Sequence, residues 1–356
     1  MFDRITLIRR QDVPATARVA TYLGGLALGL ALACLLLVAA GVPAESLVDE
    51  LVVQVFLSSD GLAQTVTAAA PLILVGLCSA LATRVRFWNI GIEGQLWLGA
   101  IAAAAVGIYD IGPAALRVPL MLLAAGLAGA AWILLPLVLK LRFAVSETVL
   151  TLLLSNIGFL CVQHLLFGAW KDPNNGFPLS PVMEPFEQLA RFGWGNVGMG
   201  TVIAVAIALI AYVVIDRSRL GLQATAVGLN ATTARATGLP VTATIATMVL
   251  LSGALAGLAG GVIIAGTEFR LSQYLGNNYT FSGIVIGFLG RAHPLGVIVA
   301  ALAVAGMFTA GSSLKVFYSL SDAVVVLIQG MVLISLLSAQ FLSTYRLARA
   351  RRSSAA

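Results

Sequence analysis

Long apolar runs restrict what this chain can fold into more than any other feature of its sequence. The first run extends from about Tyr22 to Gly41, and others of similar length follow along the chain. A bilayer offers backbone groups no water to bond with, so segments that cross it are helices or closed barrels, and a helix needs roughly 20 apolar residues. The chain is 60% hydrophobic and 10% charged, with a mean hydropathy of +0.99. These values predict an all-α polytopic membrane protein rather than a soluble domain.

Ten segments are predicted to be transmembrane helices, of which the eighth is short. They are residues 19–41, 62–82, 88–108, 116–139, 145–168, 199–215, 242–266, 279–290, 294–312 and 321–342. The first is expected to stay as a membrane span, because a signal peptide has a shorter apolar core and a cleavage site. We therefore expect a cytoplasmic N-terminal segment (1–18), a single transmembrane domain (19–342) and a basic cytoplasmic tail (343–356).

Basic residues orient the predicted spans. If both termini lie in the cytoplasm, all but five of the 21 lysines and arginines fall on the cytoplasmic side, as the positive-inside rule requires. The five on the outer side are Arg117, Lys171, Arg191, Arg270 and Lys315. The net charge of +6 therefore reflects topology, and it gives no reason to expect a nucleic-acid partner.

Signals of catalysis or metal binding are absent from the sequence. The chain has no phosphate-binding loop, no paired metal-ligating histidines and no nucleophile elbow. Its two histidines, His164 and His293, are far apart, and its cysteines, Cys34, Cys78 and Cys161, fall within apolar runs, which is typical of small buried side chains. We expect no catalytic residue, no metal, no cofactor bound by this chain and no ATP hydrolysis by it.

Polar residues at the start of the third span are candidates for a substrate pathway, because polar groups in a bilayer are costly and usually functional. Asn89 and Glu93 are four residues apart and are predicted to share a helix face, whereas Gln95 points away, roughly 200° from Glu93. An ion pair of Glu93 with Arg84 or Arg86, which lie just before it, is the structural alternative.

The fifth span carries a second pair of polar candidates. Asn156 and Gln163 are seven residues apart and are therefore predicted to share a helix face. Contact with a substrate and hydrogen bonding between helices are both open interpretations for these two side chains. Near the cytoplasmic end of the same span, Glu147 is interpreted as an interfacial carboxylate in the first turn of a helix, where negative charge is favoured.

The cytoplasmic loop 216–241 is predicted to form a helix-turn-helix. Gly228 can end one short helix, Asn230 is a good N-cap for a second helix over 231–237, and Gly238 suits the left-handed position that follows it. The loop is rich in Ala and Thr and poor in charge. Docking of a partner protein is favoured over a merely solvated loop.

The outer loop 169–197 contains four prolines and five aromatic residues. Prolines restrict its conformations, and aromatic side chains anchor in the membrane interface. A membrane-hugging connector and a docking surface are both open interpretations.

Glycines at intervals of four residues predict a close helix contact. Gly253, Gly257 and Gly261 form one stripe, and Gly25 with Gly29 forms a weaker one. Such stripes of small residues let two helices approach closely in a membrane, and here we expect packing seams within the chain.

Four stretches of the sequence together resemble one family of transport proteins. In chain order they are FWNIGIEGQLWLGA, SETVLTLLLSNIGFLCVQHLLFG with the AWKDP that follows it, AVGLNATTARATGLPV, and YTFSGIVIGFLGRAHPLGVIVAAL. They are similar to motifs of bacterial ABC-importer permeases of the ribose/branched-chain amino acid type, above all the nucleoside-uptake branch. The resemblance covers roughly residues 65–340. Trp88, Thr233 and the SNIG context of Asn156 depart from the family pattern and leave the substrate open.

The resemblance implies a type II ABC importer-like permease in the bacterial inner membrane, with about ten helices and a weak two-fold internal repeat. NIGIEGQLWLGAIAAAAVG and FSGIVIGFLGRAHPLGVIVAALAVAG would be counterparts in that repeat. The implied partners are two ATPase subunits that bind ATP and Mg, a second permease that is identical or homologous, an extracytoplasmic substrate-binding protein and membrane lipid. The implied substrate is a nucleoside or a related small polar solute, with a simple sugar such as a pentose as the alternative.

The resemblance also assigns roles to residues. The substrate pathway would include Asn89, Glu93, Gln95, Asn156 and Gln163. Coupling to the ATPase would involve Gly228, Asn230, Ala234, Arg235 and Gly238. Docking of the binding protein would involve Trp170, Lys171 and Asp172. A competing class, a secondary transporter driven by an ion gradient, is expected to carry several acidic residues near the bilayer centre, and this chain offers chiefly Glu93.

Overall fold

Helices dominate the computed structural model, which describes residues 5–9, 14–275 and 279–349. The longer helices are α1 (Ala15–Ala39), α2 (Ser59–Arg84), α3 (Ile92–Ile108), α4 (Arg117–Phe143), α5 (Glu147–Phe167), α6 (Met199–Arg217), α7 (Arg219–Leu229), α8 (Ala231–Ala236), α9 (Val241–Ile263), α10 (Tyr279–Leu289), α11 (Pro294–Tyr318) and α12 (Asp322–Thr344). Two π-helical segments, Asp49–Leu57 and Ile264–Glu268, precede α2 and extend α9.

Eight of the ten predicted spans correspond to helices that are long and apolar enough to cross a membrane. The other two, α3 with 17 residues and α10 with 11, are apolar but shorter. The third span was predicted to begin at residue 88, but residues 87–91 are not helical and α3 begins at Ile92. The multi-pass helical class is confirmed, while the count of ten spans and the internal repeat stay predictions.

A short pair of strands joins the two ends of the chain. Strand β1 (Ile5–Arg9) pairs antiparallel with β2 (Tyr345–Arg349), with Ile5 opposite Arg349 and Arg9 opposite Tyr345. This pairing lies within the predicted N-terminal segment and C-terminal tail, which the sequence did not suggest were ordered together. Residues 15–18 and 343–344 of those two segments belong to α1 and α12, and residues 1–4, 10–13 and 350–356 lie outside the described residues.

The chain divides into two compact units. One comprises residues 1–54 and 310–356, and in it α1 packs along α12 beside the β1–β2 pair. The other comprises residues 55–309, and its centre is α9, which packs against α2, α3 and α4. The helices α2 and α9 are the most buried of the long apolar helices, as their central positions require. A single transmembrane domain over 19–342 stays a prediction.

Both predicted glycine stripes are packing seams within the chain. A Cβ atom at Gly257 would collide with the backbone of Ala125 and Gly129 in α4, and one at Gly253 would lie 2.8 Å from Gly129 O. In the other unit, a Cβ atom at Gly29 would lie 2.9 Å from the Cα of Val332 in α12. The absence of side chains at these positions is therefore what allows the helices to approach so closely.

Candidate functional site

The segment that leads into α3 is held by a pair of buried amide side chains. Asn89 Nδ2 donates to Gln95 Oε1 at 3.0 Å, and Gln95 Nε2 donates back to Asn89 Oδ1 at 2.9 Å. Asn89 Oδ1 also accepts from Gly91 N at 3.1 Å, which forms a turn just before the helix. The expectation that Asn89 shares a helix face with Glu93 is therefore wrong. Asn89 lies outside the helix, and its partner is Gln95.

Hydroxyl groups from two other helices cap the N-terminus of α3. The backbone N–H of Glu93 donates to Thr280 Oγ1 in α10 at 3.0 Å, and that of Gly94 donates to Ser155 Oγ in α5 at 3.2 Å. The residue before the helix, Gly91, has no side chain that could do this. The first N–H groups of a helix have no partner within the helix, so groups from neighbouring helices stabilise this buried end.

The capping is reciprocal between α3 and α10. The backbone N–H of Thr280, in the first turn of α10, donates to the carboxylate oxygen Oε1 of Glu93 at 3.1 Å. A carboxylate at a helix N-terminus also interacts favourably with the helix dipole. We call the two hydrogen bonds between Glu93 and Thr280 the α3–α10 latch.

The alternative of a structural ion pair for Glu93 is wrong for the described residues. None of the ion pairs found among them involves Glu93. Arg86 instead donates from Nη2 to Leu229 O at 3.3 Å. The carboxyl group of Glu93 thus accepts from a backbone amide at the N-terminus of α10, and among the described residues it is not paired with a basic side chain.

A cavity of about 260 Å³ lies beside the latch, between α3, α5 and α10. Its lining residues are Ile90, Glu93, Trp97, Leu152, Ser155, Asn156, Phe159, Thr280 and Phe281. Small-molecule sites usually measure about 300–1,000 Å³ and combine apolar walls with a few polar groups. At about 260 Å³ this cavity lies just below that range, and it has that kind of lining.

The cavity brings together two of the five predicted pathway residues. Glu93 is half-buried and Asn156 is exposed, and Asn156 Nδ2 donates to Leu152 O at 3.0 Å within its own helix. Asn89, Gln95 and Gln163 are not among the lining residues. The first two are buried, at 4% and 1% exposure, and bond to each other.

Seven of the nine lining residues were not predicted from the sequence, and three of them, Thr280, Ser155 and Trp97, add polar or aromatic groups to the cavity. Hydroxyl residues are common in apolar helices, so nothing local distinguishes Thr280 or Ser155. A clue was available for Thr280, because it is the second residue of the stretch YTFSGIVIGFLGRAHPLGVIVAAL, which resembles a family motif. Trp97 packs against Phe159 with ring centroids 5.7 Å apart, so the cavity lining combines an aromatic pair with polar groups. Such a site can stack a flat or apolar face of a solute and bond its hydroxyl or amide groups.

The 216–241 segment forms the predicted pair of short helices, α7 and α8. Asn230 is the N-cap of α8, and its Oδ1 accepts from Thr232 N and Thr233 N at 3.0 and 3.1 Å. Gly238 has a φ of 80°, the left-handed conformation predicted for it. In α8, Ala234 is buried while Arg235 is exposed.

Gly228 was predicted to end the first of the two short helices, and this prediction is wrong. The helix α7 continues through Gly228 and ends at Leu229. A Cβ atom at Gly228 would collide with Arg84 O at the end of α2. Glycine is therefore needed for close packing of α7 on α2, and not to end the helix.

The 169–197 loop is anchored by two of its own side chains. Trp170 is only 5% exposed, and its Nε1 donates to Tyr109 OH at 2.9 Å. Glu187, 2% exposed, forms a 2.9 Å ion pair with the buried Arg117, which also pairs with Asp110 at 2.9 Å. The loop is therefore tied to the α3–α4 connection at two points.

Of the three residues predicted to dock a binding protein, Trp170 is therefore inaccessible. Lys171 is exposed, and Asp172 is half-buried. Asp172 Oδ1 accepts from Asn174 N at 2.9 Å and shapes a turn. Among the described residues, no group of three or more His, Cys, Asp or Glu side chains is arranged to hold a metal ion.

Apolar helices that line a cavity with a carboxylate and an amide are typical of membrane proteins that move polar solutes. Residues 61–337 match the family described as branched-chain amino acid transport system / permease component. The chain belongs to this family, and the predicted family is confirmed.

Curated relatives agree with this assignment. The chain is 34% identical to the glucose ABC transporter permease protein of Haloferax volcanii, over 95% of this chain and 92% of the relative. It is 32% identical to the guanosine ABC transporter permease protein of Bacillus subtilis, over 79% and 82%. It is 26% identical to a nucleoside ABC transporter permease protein of Lactococcus lactis subsp. cremoris, over 71% and 73%. The chain is thus a permease subunit of an ABC transporter.

Proposed function

We propose that this chain is the membrane-spanning subunit of an ATP-driven importer and that its cavity lies on the path of a nucleoside or a related small polar solute. The observation that carries the proposal is the placement of Glu93 and Asn156 in one cavity with the Trp97–Phe159 aromatic pair. A nucleoside offers an aromatic base that can stack on the aromatic pair and ribose hydroxyls that can bond to the polar side chains of the cavity.

A simple sugar is the second candidate. The glucose permease of Haloferax volcanii has 34% identity to this chain, against 32% for the guanosine permease of Bacillus subtilis. A difference this small does not decide between the substrates. A sugar also stacks on aromatic rings and bonds through hydroxyls, so only measured uptake separates the two.

The predicted pathway residues fall into two roles in this proposal. Glu93 and Asn156 contact the solute, while Asn89 and Gln95 hold the turn that places the N-terminus of α3 beside it. Gln163 lies two helical turns beyond Asn156, roughly 10 Å along α5, and is proposed as a later contact on the path. Sparse contacts suit a pathway, because tight binding would slow release.

The proposed partners account for the two loops. ATPase subunits, which bind ATP and Mg, dock on the exposed face of α8 around Arg235, while Ala234 packs inward. A binding protein docks on the 169–197 loop near Lys171, and Trp170 holds that loop in place. A second permease completes the pathway, and lipid surrounds the apolar helices. The proposed location is the bacterial inner membrane, with both termini in the cytoplasm.

The test is uptake by the reconstituted transporter in proteoliposomes, with labelled guanosine and glucose supplied with their binding proteins. We expect ATP-dependent uptake of guanosine that falls by about tenfold or more in Glu93→Gln, because the neutral amide accepts a weaker hydrogen bond from the α10 amides. Glu45→Gln makes the same change at an exposed glutamate and should leave uptake unchanged. Uptake by this chain without an ATPase would indicate a secondary transporter instead, and normal uptake by Glu93→Gln would remove the cavity from the path.

A further inference from the structure

The 216–241 segment is attached to α2, the helix that leads into α3. Close packing of Gly228 on Arg84 O and the hydrogen bond from Arg86 to Leu229 O at 3.3 Å form this attachment. A few residues further on, α3 begins beside the cavity. Movement of α7 therefore reaches one side of the α3–α10 latch through the backbone of residues 85–91.

A second attachment runs to α10 and depends on one pair of side chains. His293 Nε2 lies 3.0 Å from Asp216 Oδ2, and the His293 ring packs on Tyr212 with centroids 5.6 Å apart. The helix α10 itself packs against α2 and α3. Asp216 and Tyr212 both belong to the last turns of α6, so His293 links α6 to the connection between α10 and α11.

Asp216 moves with α7 because the junction between α6 and α7 is tight. Ser218 ends α6 and is also the N-cap of α7, with Oγ donating to Val214 O at 2.5 Å and accepting from Gly221 N at 3.4 Å. A Cβ atom at Gly221 would collide with Ile215 O. A junction this compact transmits displacement of α7 to the end of α6.

His293 is equally well fixed to α10. Arg291 and Ala292 adopt left-handed conformations with φ of 55° and 53°. The backbone N–H of His293 donates to Gly290 O at 3.0 Å, and a Cβ atom at Gly290 would lie 2.6 Å from Val297 N. The turn between α10 and α11 is thus compact, and a force on His293 acts on α10 as a whole.

The opposite end of α10 is the latch. Eleven residues of helix span roughly 16 Å, so α10 connects His293 at one end to Thr280, and through Thr280 to Glu93 and the cavity, at the other. The 216–241 segment, α2, α3 and α10 therefore form a closed ring of contacts, and Asp216 and His293 form the link in that ring that joins two side chains.

We propose that Asp216 and His293 are positioning residues whose pairing passes the motion of the 216–241 segment to α10 and so opens and closes the α3–α10 latch beside the cavity. Neither side chain touches the solute. The inference rests on the proposed function, because it assumes that a partner ATPase moves α7 and α8. Both side chains are partly exposed, at 40% for His293 and 30% for Asp216, so replacing either one leaves no buried charge without a partner.

The experiment uses the assembled transporter in proteoliposomes and measures uptake and ATP hydrolysis in the same sample. The variants are Asp216→Asn, His293→Gln and the double variant, and His164→Gln is the control, since His164 is exposed on α5. We expect ATP hydrolysis to persist while uptake per ATP falls roughly threefold to thirtyfold, the range expected for residues that carry coupling. The double variant should lose no more than the worse single variant, as for two residues that form one interaction.

If Asp216 and His293 had only a structural role, the variants would lower the yield of assembled transporter, or they would lower uptake and ATP hydrolysis in the same proportion. An unchanged ratio of uptake to hydrolysis in both single variants would overturn the proposal. If the single variants fail to assemble, the exchanged pair Asp216→His with His293→Asp decides. Recovery of coupled uptake supports the link, whereas an exchanged transporter that assembles but hydrolyses ATP without uptake refutes it. A wild-type transporter without ATP-dependent uptake would overturn the proposed function, and with it this inference.

Discussion

Two segments of this permease were predicted from sequence as docking surfaces, and the structure builds them in different ways. In the 216–241 segment, α8 is shaped by local contacts, namely the Asn230 cap and the left-handed Gly238, and one face of α8 is left exposed. The 169–197 loop is held by contacts with residues far away in the chain, through Trp170 and Glu187.

The difference teaches which exposed residues are free to meet a partner. Local hydrogen bonds hold α8, and none of the contacts described makes the fold depend on its outward side chains, such as Arg235. In a loop held by distant partners, a conspicuous aromatic residue such as Trp170 can serve as an anchor. An aromatic residue in a loop is therefore weaker evidence for a docking surface than a capped, exposed helix.

The largest effect is expected from removing Glu187, the buried anchor of the 169–197 loop. In Glu187→Ala, Arg117 stays buried and, among the described residues, retains only the exposed Asp110 as a charged partner. Removing one partner of a buried ion pair costs about 3–5 kcal/mol. We expect a loss of that order in the free energy of unfolding of the detergent-solubilised protein. Asp110→Asn is the matched control and should cost on the order of 0–1 kcal/mol, because Asp110 is exposed and asparagine tolerates its left-handed backbone, with a φ of 51°. Equal losses would contradict the anchor.

The next largest effect concerns glycines in the two segments. Gly228→Ala places a methyl group against Arg84 O, and overpacking of this kind costs about 1–3 kcal/mol. Alanine is the better helix former by up to about 1 kcal/mol, which offsets part of that cost. Gly176→Ala, in the 169–197 loop, meets no atom within 4 Å and should be close to neutral. Thermal unfolding of both variants checks this. A neutral Gly228→Ala would mean that α7 does not pack closely on α2.

Loss of the local cap should have a moderate effect. Asn230→Ala removes the acceptor for the first N–H groups of α8, which costs about 1 kcal/mol. Because the cap stabilises α8 alone, we expect faster hydrogen exchange of the α8 amides and little change in those of α9. Thr232→Ala, which leaves the cap intact, is the control. Protection factors in α8 that match wild type in Asn230→Ala would show that tertiary contacts, and not the cap, hold this helix.

The smallest effect is expected for the tryptophan anchor. Trp170→Phe keeps an aromatic ring but removes the hydrogen bond to Tyr109, which is worth about 0.5–1.5 kcal/mol. Trp194→Phe also loses a hydrogen bond, to Ser59 Oγ at 2.9 Å, but water can replace it, because Trp194 is 41% exposed. A comparison of their unfolding temperatures should place Trp170→Phe below Trp194→Phe, and the reverse order would argue against an anchoring role.

Much of the helical layout could be predicted because it depends on local composition. The caps and breaks at Asn230 and Gly238 were predictable for the same reason, since each acts within a few residues. The start of α3 could not be predicted in this way. The sequence NIGIEGQ reads as continuous helix, and only the pairing of Asn89 with Gln95, together with hydroxyls from α5 and α10, explains a helix that begins at Ile92.

The sequence by itself determined the membrane class, the family and the polar residues worth attention, because hydropathy and motif spacing are written along the chain. Tertiary structure alone decided which of those residues meet. Glu93 is joined to Thr280, 187 residues away, and Asp216 to His293, 77 residues away. Hydrogen bonds reach only about 3 Å, so partners this distant in sequence are set by how the helices pack.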